Sequence, residues 1–138
     1  MTTTTKKRHI KITAVECYSI TNVYVSNSAV AGRGVFAKRN IKKGSAVEVS
    51  PALRIVKNCN FLMYTDLKSY VFEMEGDDAT YMGLGYIPLY NHAHRPNAEF
   101  NVADGMIYII SLRNIKAHEE IFVNYGWDIE TLAENGIV

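Results

Sequence analysis

Residues 83–97 read Gly83-Leu84-Gly85-Tyr86-Ile87-Pro88-Leu89-Tyr90-Asn91-His92-Ala93-His94-Arg95-Pro96-Asn97. An apolar stretch runs directly into amide and imidazole side chains and the φ-fixing Pro96, which marks a loop rather than a regular element. Asn and His side chains in such a loop need hydrogen-bond partners, and where a chain turns they commonly bond backbone groups. His92 and His94 have the i,i+2 spacing of a ligand pair. No cysteine and no third histidine lies near them in sequence, so no metal site is expected.

On either side of this loop the chain consists of short apolar or alternating runs, the pattern of short strands. They are Ile10–Ile12, Val23–Val25, Gly34–Phe36, Ala46–Val49, Leu53–Val56, Ser69–Glu73, Phe100–Val102, Met106–Ile110 and Ile121–Val123. Asp104-Gly105 between two of them predicts a tight hairpin. Helical turns are expected only at Thr65–Lys68, Ala79–Leu84 and Ile129–Glu134, so the fold class is mostly β. Arg39-Asn40-Ile41-Lys42 reappears as Arg113-Asn114-Ile115-Lys116, each followed by a turn and an apolar run. This predicts one turn geometry used twice, with His118 in the place of Gly44 because His tolerates positive φ better than most residues.

Two further segments carry chemistry-bearing residues. Gly32-Arg33-Gly34 lacks the third glycine and the following helix of a dinucleotide fingerprint, but its two glycines allow close backbone approach to a ligand at a strand entrance. Glu119-Glu120-Ile121-Phe122-Val123-Asn124-Tyr125-Gly126-Trp127 is an acidic pair leading into an apolar strand that ends in aromatic residues, which suit a pocket wall. The whole chain has 138 residues, 48% hydrophobic and 21% charged, with a formal charge of +1. That balance excludes a disordered chain and a dedicated nucleic-acid-binding domain, and the length suits one domain. Cys17 and Cys59 are too few for a zinc site and are read as reduced thiols of an intracellular protein. No secretory leader or membrane span is legible.

In this order and spacing, GRGVFA (32–37), the 83–97 segment and EEIFVNYG (119–126) resemble the motifs of a SET domain, the fold of S-adenosylmethionine-dependent protein-lysine methyltransferases. The resemblance covers roughly residues 22–127, with 1–21 as an N-terminal extension and 128–138 as a short tail. It looks most like the minimal virus-type or bacterial members, without the cysteine-rich zinc segment that follows the domain in larger ones. It departs from the family pattern at Ala93-His94 (usually Ser-Cys), Asn124 (commonly Asp) and His118 (a turn glycine).

The resemblance implies several small β-sheets, few short helices and a C-terminal pseudoknot. It implies that S-adenosylmethionine lies on Gly32, Arg33, Gly34, Asn91 and His92, and that Tyr125 faces the transferred methyl. It also implies a lysine channel walled by Tyr70, Phe72, Tyr86, Tyr90, Val123 and Trp127, closed by Trp127 and the tail or by a second copy in a homodimer. Val123, two residues before Tyr125, leaves room for di- or trimethylation. The expected partner is a protein with an exposed lysine, such as a histone tail, met in the cytoplasm or nucleus (a host nucleus for a viral protein), with no nucleic acid or membrane. The acidic stretch Glu73, Glu75, Asp77 and Asp78 is a candidate groove for a basic tail. The competing function is a catalytically silent SET-like module that binds peptide or cofactor.

Overall fold

Valine and isoleucine fill most of the deeply buried positions, and these stiff β-branched side chains sit on short strands, where they pack well. The computed structural model describes residues 22–56, 65–73, 78–126 and 133–134. The strands are β1 (Val23–Asn27), β2 (Arg33–Ala37), β3 (Ala46–Val56), β4 (Val71–Glu73), β5 (Ala79–Gly83), β6 (Asn91–His92), β7 (Ala98–Ala103), β8 (Met106–Ser111) and β9 (Glu120–Val123). Two 3-10 turns, Asp66–Tyr70 and Ile87–Leu89, interrupt them. The expected Ile10–Ile12 strand, both cysteines, Glu75, Asp77 and Trp127 lie outside the described residues, as does most of 129–134.

The strands form two sheets, ordered β1-β2-β9-β6 and β4-β5-β3-β8-β7. This is the mostly β architecture of small sheets that the sequence predicts. Asp104 and Gly105 both take positive φ, as the tight β7–β8 turn requires. Two expectations need correction. Ala79–Gly83 is a strand rather than a helical turn, because β3 and β4 pair with it on both sides. Ser69 and Tyr70 close a 3-10 turn, and only Val71–Glu73 is strand. Leu53–Val56 also continues the Ala46–Val49 strand as a single element. Pro51 is tolerated inside it because it lies where β3 changes partner from β8 to β5.

The sequence echo is a local two-fold. Ile41 and Ile115 exchange both backbone hydrogen bonds, at 2.8 and 2.9 Å. Asn40 Oδ1 accepts from the Ala117 N–H of the other copy and Asn114 Oδ1 from the Lys43 N–H, each at 2.9 Å. Gly44 N–H donates to the Ser111 carbonyl at 2.8 Å, and its counterpart His118 N–H donates to the Ala37 carbonyl at 2.7 Å. Each asparagine thus caps the opposite turn. The position that is glycine in one copy (φ 82) is histidine in the other (φ 67).

β9 is the last described strand, yet it lies inside its sheet, antiparallel to β2 and parallel to β6. Insertion of a late strand between two earlier segments is the pinning expected of the pseudoknot. It depends on the second turn, which delivers β9. Left-handed backbone costs a residue with a Cβ about 1–2 kcal/mol. His118→Gly should therefore be more stable than His118→Ala by about 1 kcal/mol in urea denaturation, both variants having lost the ring. Equal stabilities would show that position 118 holds no backbone strain.

Candidate active site

The loop at 91–97 spends its polar side chains on β9, as a turn with amide and imidazole groups is expected to do. Asn97, almost fully buried, donates from Nδ2 to the Glu120 carbonyl and accepts at Oδ1 from the Phe122 N–H, both at 2.8 Å. The Ala93 N–H donates to the Val123 carbonyl at 3.0 Å, and His92 Nδ1 accepts from the Tyr125 N–H at 3.1 Å. That bond requires an unprotonated Nδ1, which leaves the proton of the neutral ring on Nε2. His92 Nε2 is buried and finds no hydrogen-bond partner among the described residues. Burial, and secondarily the neighbouring His94, holds the His92 pKa below its usual value.

On one side of β9 lies the glycine pair. Asn91 Nδ2 lies within hydrogen-bond distance of the carbonyls of Ala31 (3.1 Å) and Arg33 (3.2 Å) and of Glu120 Oε1 (2.9 Å). The Ser28 hydroxyl donates to Glu120 Oε2 at 2.9 Å. The two glycines serve different ends. Gly32 has φ +49 with open space around it, whereas a Cβ on Gly34 would collide with Glu120 Oε1 and sit 3.2 Å from Asn91 Nδ2. Gly32, Arg33, Gly34 and Asn91 therefore form one cluster, while the His92 ring points toward Tyr125, with the ring centroids 5.2 Å apart.

On the other side is an aromatic cavity of about 50 Å³, lined in part by Tyr70, Phe72, Tyr90, Phe100, Val123 and Tyr125. Phe72 and Phe100 pack at 5.1 Å between ring centroids. The Tyr125 hydroxyl donates to the Tyr90 carbonyl at 2.6 Å, and burial, with Tyr70 adding, pushes its pKa up to about 12. It is protonated at neutral pH. Of the expected wall residues, Tyr70, Phe72, Tyr90 and Val123 meet here. Tyr86 does not line the cavity; its N–H is tied to Glu48 Oε1 at 2.9 Å and it packs against the core. Trp127 lies outside the described residues. Sequence reasoning missed Glu120, Ser28, Asn97 and Phe100. The partners of Glu120 lie far away in sequence, and Phe100 looks like any strand residue.

The SET domain family profile matches residues 32–126. The chain belongs to the SET domain family. This SET domain is 35% identical over 100 residues to a fission yeast protein named as a histone-lysine N-methyltransferase specific for lysine 37 of histone H3, covering 69% of this chain and 67% of the relative. Its fold matches the crystal structure of a candidate histone methyltransferase from Plasmodium falciparum with a TM-score of 0.66 and 30% identity, over 79% of this chain and 96% of that one. The resemblance therefore extends beyond the viral and bacterial members. At two of the departures from the family pattern, Asn124 Oδ1 caps the Gly126 N–H at 2.8 Å and His94 packs edge-on against His92 at 5.0 Å.

Removing the Asn97 side chain leaves two part-buried backbone groups of β9 without their partner. Asn97→Ala should cost about 2–4 kcal/mol in denaturant unfolding, and a loss below 1 kcal/mol would show that the clamp is dispensable. His92 has a second, pH-dependent signature. With its native pKa below the unfolded value of about 6.5, the unfolded chain binds more protons in that window. Stability should be complete above about pH 6.5 and fall as the pH drops toward the native value. The melting temperature of the wild type should decline more steeply from pH 7 to 5 than that of His92→Gln, and parallel curves would contradict the assignment.

Proposed function

We propose that this SET domain transfers a methyl group from S-adenosylmethionine to the ε-amine of a protein lysine. The observation that carries the reading is that β9 and the residues just after it serve both halves of the site. Glu120 joins the glycine cluster, while Val123 and Tyr125 face the aromatic cavity. At ~3.3 Å per residue, Glu120 and Val123 are about 10 Å apart, which brings a cofactor cleft and a lysine channel within reach of each other.

The residues fit the cofactor on three observations. Gly34, lacking a Cβ, lets Glu120 and Asn91 close against its backbone, His92 Nε2 is a buried polar atom with no partner among the described residues, and the Glu120 carboxylate with the Ala31 and Arg33 carbonyls, all bonded by Asn91, makes an acceptor-rich patch suited to a cationic group. Gly32, Arg33, Gly34, Asn91, His92 and Glu120 would hold it. When bound, S-adenosylmethionine supplies a methyl activated by a sulfonium centre.

The chain's own residues supply orientation and desolvation. A free lysine with a pKa of about 10.4 must lose its proton to act as a nucleophile, and the apolar wall of Phe72, Phe100, Ile109 and Val123 disfavours its ammonium form. With its proton donated to the Tyr90 carbonyl, the Tyr125 oxygen can serve as an acceptor of weak C–H···O contacts. It aligns rather than deprotonates, since a phenol titrating near 12 is a poor base at neutral pH.

The name of the fission yeast relative supports a histone tail as substrate. A nuclear location goes with that substrate. Among the described residues no helix is long and apolar enough to cross a membrane.

The test is transfer of labelled methyl to histone H3. Tyr125→Phe should lower the rate roughly a hundredfold while keeping the thermal shift caused by S-adenosylhomocysteine, as expected of a lost orienting contact. Gly34→Ala should abolish that shift. Mass spectra at saturation should show more than one methyl per lysine, given Val123 in the wall; monomethyl product alone would contradict that part. A full thermal shift with no label on any protein would instead identify a silent binding module.

A further inference from the structure

Glu48 lies on β3 with 1% of its surface exposed, and no salt bridge reaches it among the described residues. Its Oε1 accepts from the Ser50 hydroxyl at 2.7 Å and the Tyr86 N–H at 2.9 Å, and its Oε2 accepts from the Tyr90 hydroxyl at 2.6 Å. A carboxyl group here is a costly core residue, since burying a charge without a counter-ion is unfavourable and an apolar side chain of similar volume packs at no such cost. The three donors show what the carboxyl group does. Tyr86 and Tyr90 flank the Ile87–Leu89 turn, so Glu48 clips both ends of that turn to β3. The far end is the residue whose carbonyl accepts the Tyr125 hydroxyl.

We propose that Glu48 is a positioning residue for Tyr125, acting through Tyr90. The route has two links, the carboxylate to the Tyr90 hydroxyl and the Tyr90 carbonyl to the Tyr125 hydroxyl, each 2.6 Å long. Tyr90 also lines the cavity, so the same clip sets one wall of the channel. A hydroxyl that must keep its proton on one carbonyl needs that carbonyl held still. A misplacement of about 1 Å at a reacting centre can cost on the order of a hundredfold in rate. The inference rests on the lysine methyltransferase reading for its kinetic consequence, but its structural content stands apart from that reading.

The experiment uses the full chain with Glu48→Gln and Tyr90→Phe, each alone and combined with Tyr125→Phe. Tyr90→Phe keeps the ring in the core and serves if Glu48→Gln does not fold. Each single variant should lower kcat ten- to a hundredfold with S-adenosylhomocysteine affinity unchanged, and neither should lower the residual kcat of Tyr125→Phe any further. In parallel, NMR of tyrosine labelled at Cζ follows the Tyr125 phenol, whose Cζ resonance should shift from its wild-type position in both single variants as the Tyr90 carbonyl that takes its proton moves. Unchanged kcat in folded variants, an equal loss in the Tyr125→Phe background, or an unmoved Tyr125 Cζ resonance would each overturn the proposal. If the wild type transfers no methyl, the function reading fails and the Tyr125 Cζ resonance alone decides the role of Glu48.

Discussion

Everything in this site depends on the insertion of β9 between β2 and the 90–97 segment. A strand of four residues has little pairing energy of its own. It is held because it is bonded on both sides: β2 on one, and on the other β6, the Ala93 N–H and the side-chain amide of Asn97, which takes the place of a missing strand residue. The buried positions Ile121 and Val123 then point into the shared core. Alternation along the strand leaves Glu120 and Phe122 on the other face, so the same constraint that completes the core also sets the chemistry.

The two sides of β9 differ in character. The glycine cluster is polar, with a carboxylate, an amide and the carbonyls that the amide binds. The cavity is apolar apart from a few hydroxyls, of which those of Tyr90 and Tyr125 donate to Glu48 and to the Tyr90 carbonyl. That contrast is suited to a cationic group on one side and a lysine that must become neutral on the other. The buried Glu48 is a third polar element, hidden behind the cavity wall. Burial raises its pKa, and three hydrogen bonds oppose that rise. Its cost makes sense if the geometry it enforces is used.

Much of this was legible in the chain. Asp104-Gly105 demanded left-handed backbone and has it, and the repeated Arg-Asn-Ile-Lys predicted one turn geometry used twice, with His118 correctly placed as the stand-in for Gly44; that the two turns pair was not foreseen. Asn91 and the glycine pair were singled out by residue type and order, and the fold brings them together. What escaped was set by tertiary pairing. Strand alternation would put Glu48 on the opposite face from Val47 and Val49 and so in solvent. All four residues from Val47 to Ser50 are instead buried, because both faces of β3 are covered and a bulge shifts the register between Ala46 and Glu48. Tyr70 was expected on a strand and sits in a 3-10 turn, since only three residues there find a partner in β5. Tyr86 and Phe100 are equally plausible wall residues by type. The hydrogen bond that holds the Tyr86 backbone to Glu48 lies beyond any local signal.

The measurement that tests the account most directly is a crystal structure of the chain with S-adenosylhomocysteine and a lysine-containing histone H3 peptide. The account predicts the cofactor product against Gly32–Gly34, Asn91, His92 and Glu120, the lysine side chain in the cavity lined by Tyr70, Phe72 and Phe100, and the sulfur and the ε-amine facing each other beside the Tyr125 hydroxyl. Either ligand bound on another face of the molecule, or both on the same side of β9, would contradict it.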